Sequence, residues 1–120
     1  MKNLLTISDY KYLMAVKQLS KNQPIRQTDV AIMLNVTRVS VFNGIEKLIN
    51  YNYIKRSSKK IMLTDDGYNI LSDYEDVINK IQKFLYSKSV LEETSWQDAM
   101  VIACSISEES FLKILNSDNN

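Results

Sequence analysis

Arg38 and Asn43 stand five positions apart in TRVSVFNGIEKL, residues 37–48, with Val39, Ser40 and Phe42 between them. If this segment is a helix that buries Val41, Ile45 and Leu48, its N-terminal and outward surface carries Thr37, Arg38, Val39, Ser40, Phe42 and Asn43, with Lys47 further along. Those residue types can read base edges in a major groove. A guanidinium pairs with guanine, a carboxamide pairs with adenine, and Val39 or Phe42 meets a thymine methyl. A second group, Lys55, Arg56, Lys59 and Lys60, sets four cations within six residues, which suits contact with a phosphate backbone. The plainer alternative for the polar members is a solvated surface, and for Phe42 a place in the core.

Other chemistry is thinly supplied. The chain has no His, one Cys (Cys104), two Gly (Gly44 and Gly67) and one Pro (Pro24). These absences remove His-based triads, His-ligated zinc sites, disulfide frameworks, glycine-rich dinucleotide fingerprints and phosphate-binding loops together. No nucleophile with a base is visible, so neither an enzyme nor a cofactor is expected. Cys104 lies in the apolar run 100–104 and reads as a small buried hydrophobe.

The 120 residues are 45% hydrophobic, 24% charged and 9% aromatic, the composition of one folded domain with a possible helical appendage. No apolar run approaches the roughly 20 residues of a membrane span. The opening MKNLLTISDY lacks the apolar stretch of a secretory signal, and a cytoplasmic location is expected. The net charge of +1 conceals an asymmetry. Residues 1–60 carry +8 and residues 61–120 carry −7, and a basic half joined to an acidic half points to nucleic acid as the partner of the former.

Several elements must hold the two cationic groups in place. Residues 8–20 read as a helix capped by Ser8, with a stripe of Tyr12, Leu13, Val16 and Leu19. Residues 21–27 break the pattern around Pro24, with room for a short extended piece at 24–26. Val30, Leu34, Val36, Val41, Ile45 and Leu48 then have the spacing of two helices packed across a tight turn, with small Ala31 at the closest approach. In this helix-turn-helix, Asn35 takes the left-handed turn position and Thr37 caps the recognition helix. Residues 53–56 and 61–63 read as two strands joined by the basic segment 57–60, a wing.

Thr64 is a natural cap for a long helix over 65–86, with Asp65 and Asp66 in its first turn. Its stripe of Leu71, Tyr74, Ile78, Ile81 and Leu85 exceeds what a small winged domain can cover, so another helix or a second chain should meet it. A helix over 95–105 capped by Ser95 follows, with Trp96 expected in the core, and then another helix from Ser107 bearing Phe111, Leu112 and Leu115. The polar residues 116–120 are expected to fray. The expected fold is mainly α: a winged helix-turn-helix DNA-binding domain over 1–64, then a long helix and C-terminal dimerisation helices over 65–120.

This order of elements resembles the N-terminal two-thirds of the iron- and manganese-dependent repressors of the DtxR/MntR type. The likeness runs through SDYKYLMAVKQLS, PIRQTDVAIMLNVTRVSV, IMLTDDG, FL at 84–85 and WQDAMVIACSISEESFLKIL. It implies a homodimeric transcriptional regulator on a palindromic operator. In that family a metal is held by an acid in the first helix, a His in the long helix, and Glu, Cys and His groups in the helix before the last. Here Asp9 matches the first, but the others fall near Ile78, Met100, Ala103 and Cys104. The resemblance therefore implies the scaffold without its metal switch, because a transition-metal site needs at least three good donors. A different site built from Asp9, Cys104 and Glu92 or Glu93 is the alternative. Two other functions fit the same residues: a winged-helix protein-interaction module docking through the acidic C-terminal half, and a plasmid or phage accessory DNA-binding protein.

Overall fold

A computed structural model describes residues 3–21 and 23–118. The order of elements is α1 (Ile7–Ser20), α2 (Gln27–Leu34), α3 (Arg38–Asn50), β1 (Ile54–Ser57), β2 (Lys60–Leu63), α4 (Asp65–Ser87), α5 (Glu92–Ala103) and α6 (Glu108–Leu115). This is a mainly helical winged helix-turn-helix with a two-stranded wing, followed by a long helix and two shorter ones. The chain divides into two compact units, one ending at Leu71 and the other beginning at Ser72. No helix among the described residues is long and apolar enough to cross a membrane.

In the first unit, α1 is capped by Thr6 rather than Ser8. The Asp9 N–H donates to Thr6 Oγ1 at 3.1 Å and the Thr6 N–H donates to Asp9 Oδ2 at 3.0 Å, a reciprocal capping box. Thr6 wins because an acid stands three residues after it, whereas Ser8 is followed at that spacing by Lys11. Leu13 and Val16 are buried as expected, joined by Tyr10 and Ala15, while Tyr12 and Leu19 are half-buried. Asn35 holds the turn between α2 and α3 at φ 54°, ψ 49°. Val30, Ala31, Val41, Ile45 and Leu48 are buried behind that turn, but Val36 lies outside the core.

The wing pairs Ile54 with Leu63 and Ser57 with Lys60, antiparallel, so each strand runs one residue further into the basic loop than expected. The two-residue turn requires Ser58 to take φ 60°, a conformation usually given to glycine. Ile25 forms a further bridge to Ile61, with N–H to O distances of 2.9 and 2.7 Å, which places the extended piece beside the wing. Thr64 caps α4 by accepting from the Gly67 N–H at 3.0 Å, and its own hydroxyl donates to the Asn52 carbonyl at 2.6 Å. At 23 residues α4 is about 34 Å long.

In the second unit, Tyr74 packs on Phe111 with ring centroids 4.5 Å apart, and both are fully buried. The Lys80 ammonium donates to the carbonyls of Ile114, Leu115 and Ser117 at 3.1, 2.9 and 2.7 Å, and so satisfies acceptors left over where α6 ends. Helix α5 starts at Glu92, before Ser95. Two acids in its first turn suit the helix dipole, and the buried Ser95 hydroxyl donates to the Glu92 carbonyl within the helix. Trp96 is exposed rather than core, and Cys104 is half-buried rather than buried. Of the segment expected to fray, residues 119 and 120 lie outside the described residues.

Candidate nucleic-acid interface

Helix α3 presents its outward face because its inner one is fully occupied. Val41, Ile45 and Leu48 are buried within the first unit, and Gly44 lies so close to the Tyr12 ring that an added Cβ would overlap it. The cap is tight: Thr37 Oγ1 accepts the Ser40 N–H at 3.1 Å and its hydroxyl donates to Ser40 Oγ at 2.9 Å. Thr37 and Ser40, both exposed, therefore use part of their hydrogen-bonding capacity on the helix start. Arg38, Val39, Phe42 and Asn43 are exposed beyond them, Val39 at 70% and Phe42 at 48%. Phe42 is thus not core. The side chains of Arg38 and Asn43 have no hydrogen-bond partner among the described residues.

Lys47 sits apart from that group. Its ammonium lies 3.0 Å from Asp9 Oδ2 and 5.6 Å from the Tyr51 ring centroid. Asp9 is buried in α1, so this contact joins α1 to α3 and balances a carboxylate that would otherwise be stranded. Lys47→Met should destabilise the first unit by about 1–3 kcal/mol, the cost of removing a partner from a buried acceptor. Adding Asp9→Asn should recover part of it. Thermal unfolding of both single variants and the double variant checks the coupling, and additive losses would show that the contact carries no energy.

Arg56 is also engaged. Its guanidinium donates to Gln27 Oε1 at 3.3 Å from each of two nitrogens and pairs with Glu46 of α3, which ties the wing to both helices of the reading head. Lys55, Lys59 and Lys60 are exposed on the wing with no acidic partner among the described residues. The sequence reading missed the structural use of Arg56 because its partners lie 29 and 10 residues away. It missed Arg26 as well, a cation in the extended piece at 24–26 that the Ile25–Ile61 bridge places beside the wing.

Of the stripe on α4, Leu71, Tyr74 and Ile78 are buried within the chain itself, while Ile81 and Leu85 are half-buried. The apolar surface left open in the second unit includes Phe84 and Tyr86 at 61% each and Leu91 at 75%.

The residues present do not fit the metal site that the resemblance implies. Asp9 already accepts from Thr6 and Lys47. Ile78, Met100 and Ala103 are buried and offer no hard or imidazole donor. No group of three or more His, Cys, Asp or Glu residues suited to a metal ion lies together among the described residues.

Residues 3–72 match the family profile of the RuvB C-terminal winged helix domain. No curated protein matches the sequence. Among solved structures, a hypothetical protein from Sulfolobus solfataricus is similar over 93% of this chain and 88% of its own, at 18% identity and a TM-score of 0.80. IdeR of T. acidophilum is similar over 96% of this chain at 17% identity and a TM-score of 0.61. The metal-dependent transcriptional regulator MtsR is similar over 88% of this chain at 22% identity and a TM-score of 0.69. The chain spans 54% of the length of IdeR and 51% of that of MtsR. These likenesses are of fold.

Proposed function

The chain belongs to the RuvB C-terminal winged helix domain family, and on that premise we propose that it is a DNA-binding transcriptional regulator, a homodimer on a palindromic operator that works without a bound metal. The observation that carries this reading is the face of α3 on which Arg38, Val39, Phe42 and Asn43 stand exposed, with a wing whose Lys55, Lys59 and Lys60 have no acidic partner among the described residues. In the mechanism, residues 1–64 form the reading head. Its α3 enters a major groove, Arg38 and Asn43 pair with base edges, and Val39 and Phe42 pack on thymine methyls. Lys55, Lys59 and Lys60 hold the backbone, while Arg56 fixes the wing's position.

Residues 65–120 form the dimerisation region. Leu71, Tyr74 and Ile78 shape it from within, and Ile81, Leu85 and the exposed Phe84 face the second copy. Two-fold symmetry then sets two copies of α3 about one helical turn of DNA apart, roughly 34 Å. Regulation of transcription, the role for which MtsR is named, is carried here by occupancy of the operator alone.

The test is equilibrium binding to duplex DNA across salt, together with the mass of the free and bound protein. The expected result is a dimer in both states and an affinity that falls about 10³-fold or more between 50 and 200 mM salt. A monomer bound to DNA overturns the dimer, and an absence of binding overturns the DNA reading.

A second reading, a winged-helix protein-interaction module, draws support from apolar residues open on the head, where Ile32, Met33 and Val39 are 78%, 44% and 70% exposed. In that case the acidic second half adds a docking surface, and an intact dimer would bind no duplex at low salt.

A further inference from the structure

The reading head carries a concave surface on the side where the first turn of α2 meets the wing. It is an open cleft of about 670 Å³ lined by Arg26, Thr28, Arg56, Ser58, Lys59 and Lys60, among others. Three features built it. The Ile25–Ile61 bridge runs antiparallel and sets Arg26 alongside Lys60. Pairing of Ser57 with Lys60 closes the wing through a two-residue turn, which brings Lys59 to the same rim. Arg56 forms part of the wall, held there by Gln27 and Glu46.

The electrostatics of the cleft are one-sided. Glu46 offsets Arg56, but Arg26, Lys59 and Lys60 have no acidic partner among the described residues. Asp29, in the first turn of α2, is turned back to accept the Arg26 N–H at 3.2 Å as part of a cap. Three unbalanced cations on one concave wall repel one another and focus a positive field into the opening, and an anion relieves both. Thr28 and Ser58 add hydroxyls that can donate to its oxygens.

We infer that this cleft is a phosphodiester-binding subsite, with Arg26 and Lys60 its principal cations, and that it takes the DNA backbone beside the groove that α3 enters. The occupant is the same duplex because the Arg56–Glu46 pair joins the cleft wall to α3 itself, so a duplex seated on α3 offers its flanking strand here. Arg26 is thereby added to the DNA-contacting residues, and the wing grips the backbone on its α2 side. The inference rests on the DNA reading above and deepens it.

The test compares wild type with Arg26→Ala/Lys60→Ala on a duplex that the wild type binds, from 50 to 200 mM salt. Both side chains are exposed, and thermal unfolding confirms that the variant is folded. Arg26→Gln/Lys60→Gln repeats the test if the alanine pair is unstable. The plot of log affinity against log salt should become shallower by about 3.6, two phosphate contacts in each of the two copies at about 0.9 each. The ranking of duplexes by sequence should stay unchanged. Lys113→Ala, in the second unit, should leave the slope as it was. An unchanged slope in the Arg26 and Lys60 variant overturns the subsite, and the backbone role of Lys60 with it, while leaving base reading by α3 standing, and a changed ranking overturns its assignment to the backbone. Titration with ATP at the same salt distinguishes a free phosphate ligand: tighter binding of ATP than of duplex would overturn the duplex as occupant. A wild type that binds no duplex at low salt overturns the DNA reading and the subsite with it.

Discussion

Replacing Arg38 and Asn43 together by alanine lowers affinity for the preferred duplex about 30- to 10⁴-fold for each half-site and removes discrimination among sequences, while thermal stability stays within about 0.5 kcal/mol of wild type. The first figure follows from two base contacts at about 1–3 kcal/mol each, with about 1.4 kcal/mol for each tenfold change. The second follows from exposure, since neither side chain has a hydrogen-bond partner within the described fold and surface substitutions of that kind cost little. Residual binding remains salt-dependent, because the wing lysines and the cleft at Arg26 are untouched. Binding measured on a panel of duplexes, beside a melting curve, separates the two effects. Affinity and ranking equal to wild type would place base reading elsewhere than α3.

Gly67→Ala unfolds the first unit at a much lower temperature, although alanine is the better helix former. Gly67 is buried in the first turn of α4, and a Cβ there would overlap the carbonyl oxygen of Tyr53. That carbonyl is fixed by the Thr64 N–H at 3.1 Å, and Tyr53 is itself fully buried, so the obstacle is backbone that cannot swing aside. Helix propensity favours alanine by about 1 kcal/mol. Overpacking against a rigid neighbour costs about 1–3 kcal/mol and can exceed that, and backbone contact belongs at the upper end. The net loss is about 2 kcal/mol, or roughly 8–16 °C for a unit of this size. Calorimetry of the variant checks it, and a melting temperature at or above that of wild type would mean that the α4 start and the Tyr53 carbonyl separate without cost. Gly44 differs, because the neighbour there is the ring of half-buried Tyr12.

The parts of this molecule legible in its sequence are those set by local chemistry. Asn35 at a left-handed turn, Thr37 and Thr64 as caps, and the apolar spacing of Val41, Ile45 and Leu48 are each decided within a few residues, and each stands where the pattern places it. Ser8 and Ser95 failed as caps for an equally local reason, since Asp9 answers Thr6 and the acids at 92 and 93 carry α5 further back. What sequence could not supply was long-range. Lys47 reads as one more exposed cation until Asp9, 38 positions earlier, is seen beneath it. Arg56 reads as a phosphate contact until Gln27 and Glu46 are found holding it. Burial of Tyr74 within the chain depends on α6, whose Phe111 meets its ring, and periodicity along α4 does not encode that. Arg26 carried no periodic signal at all, and only the Ile25–Ile61 bridge brings it to the wing.

The central claim, that α3 reads a specific duplex without a metal, is tested most directly by selecting from random duplex DNA with the purified chain, in chelator and again with manganese, iron or zinc, at two salt concentrations. The account predicts one inverted-repeat sequence recovered equally in chelator and in metal, with half-sites about one helical turn apart. Recovery only with metal would contradict metal independence and require ligands other than those the resemblance implies. Recovery of no sequence, with binding lost at moderate salt, would contradict specific reading by α3.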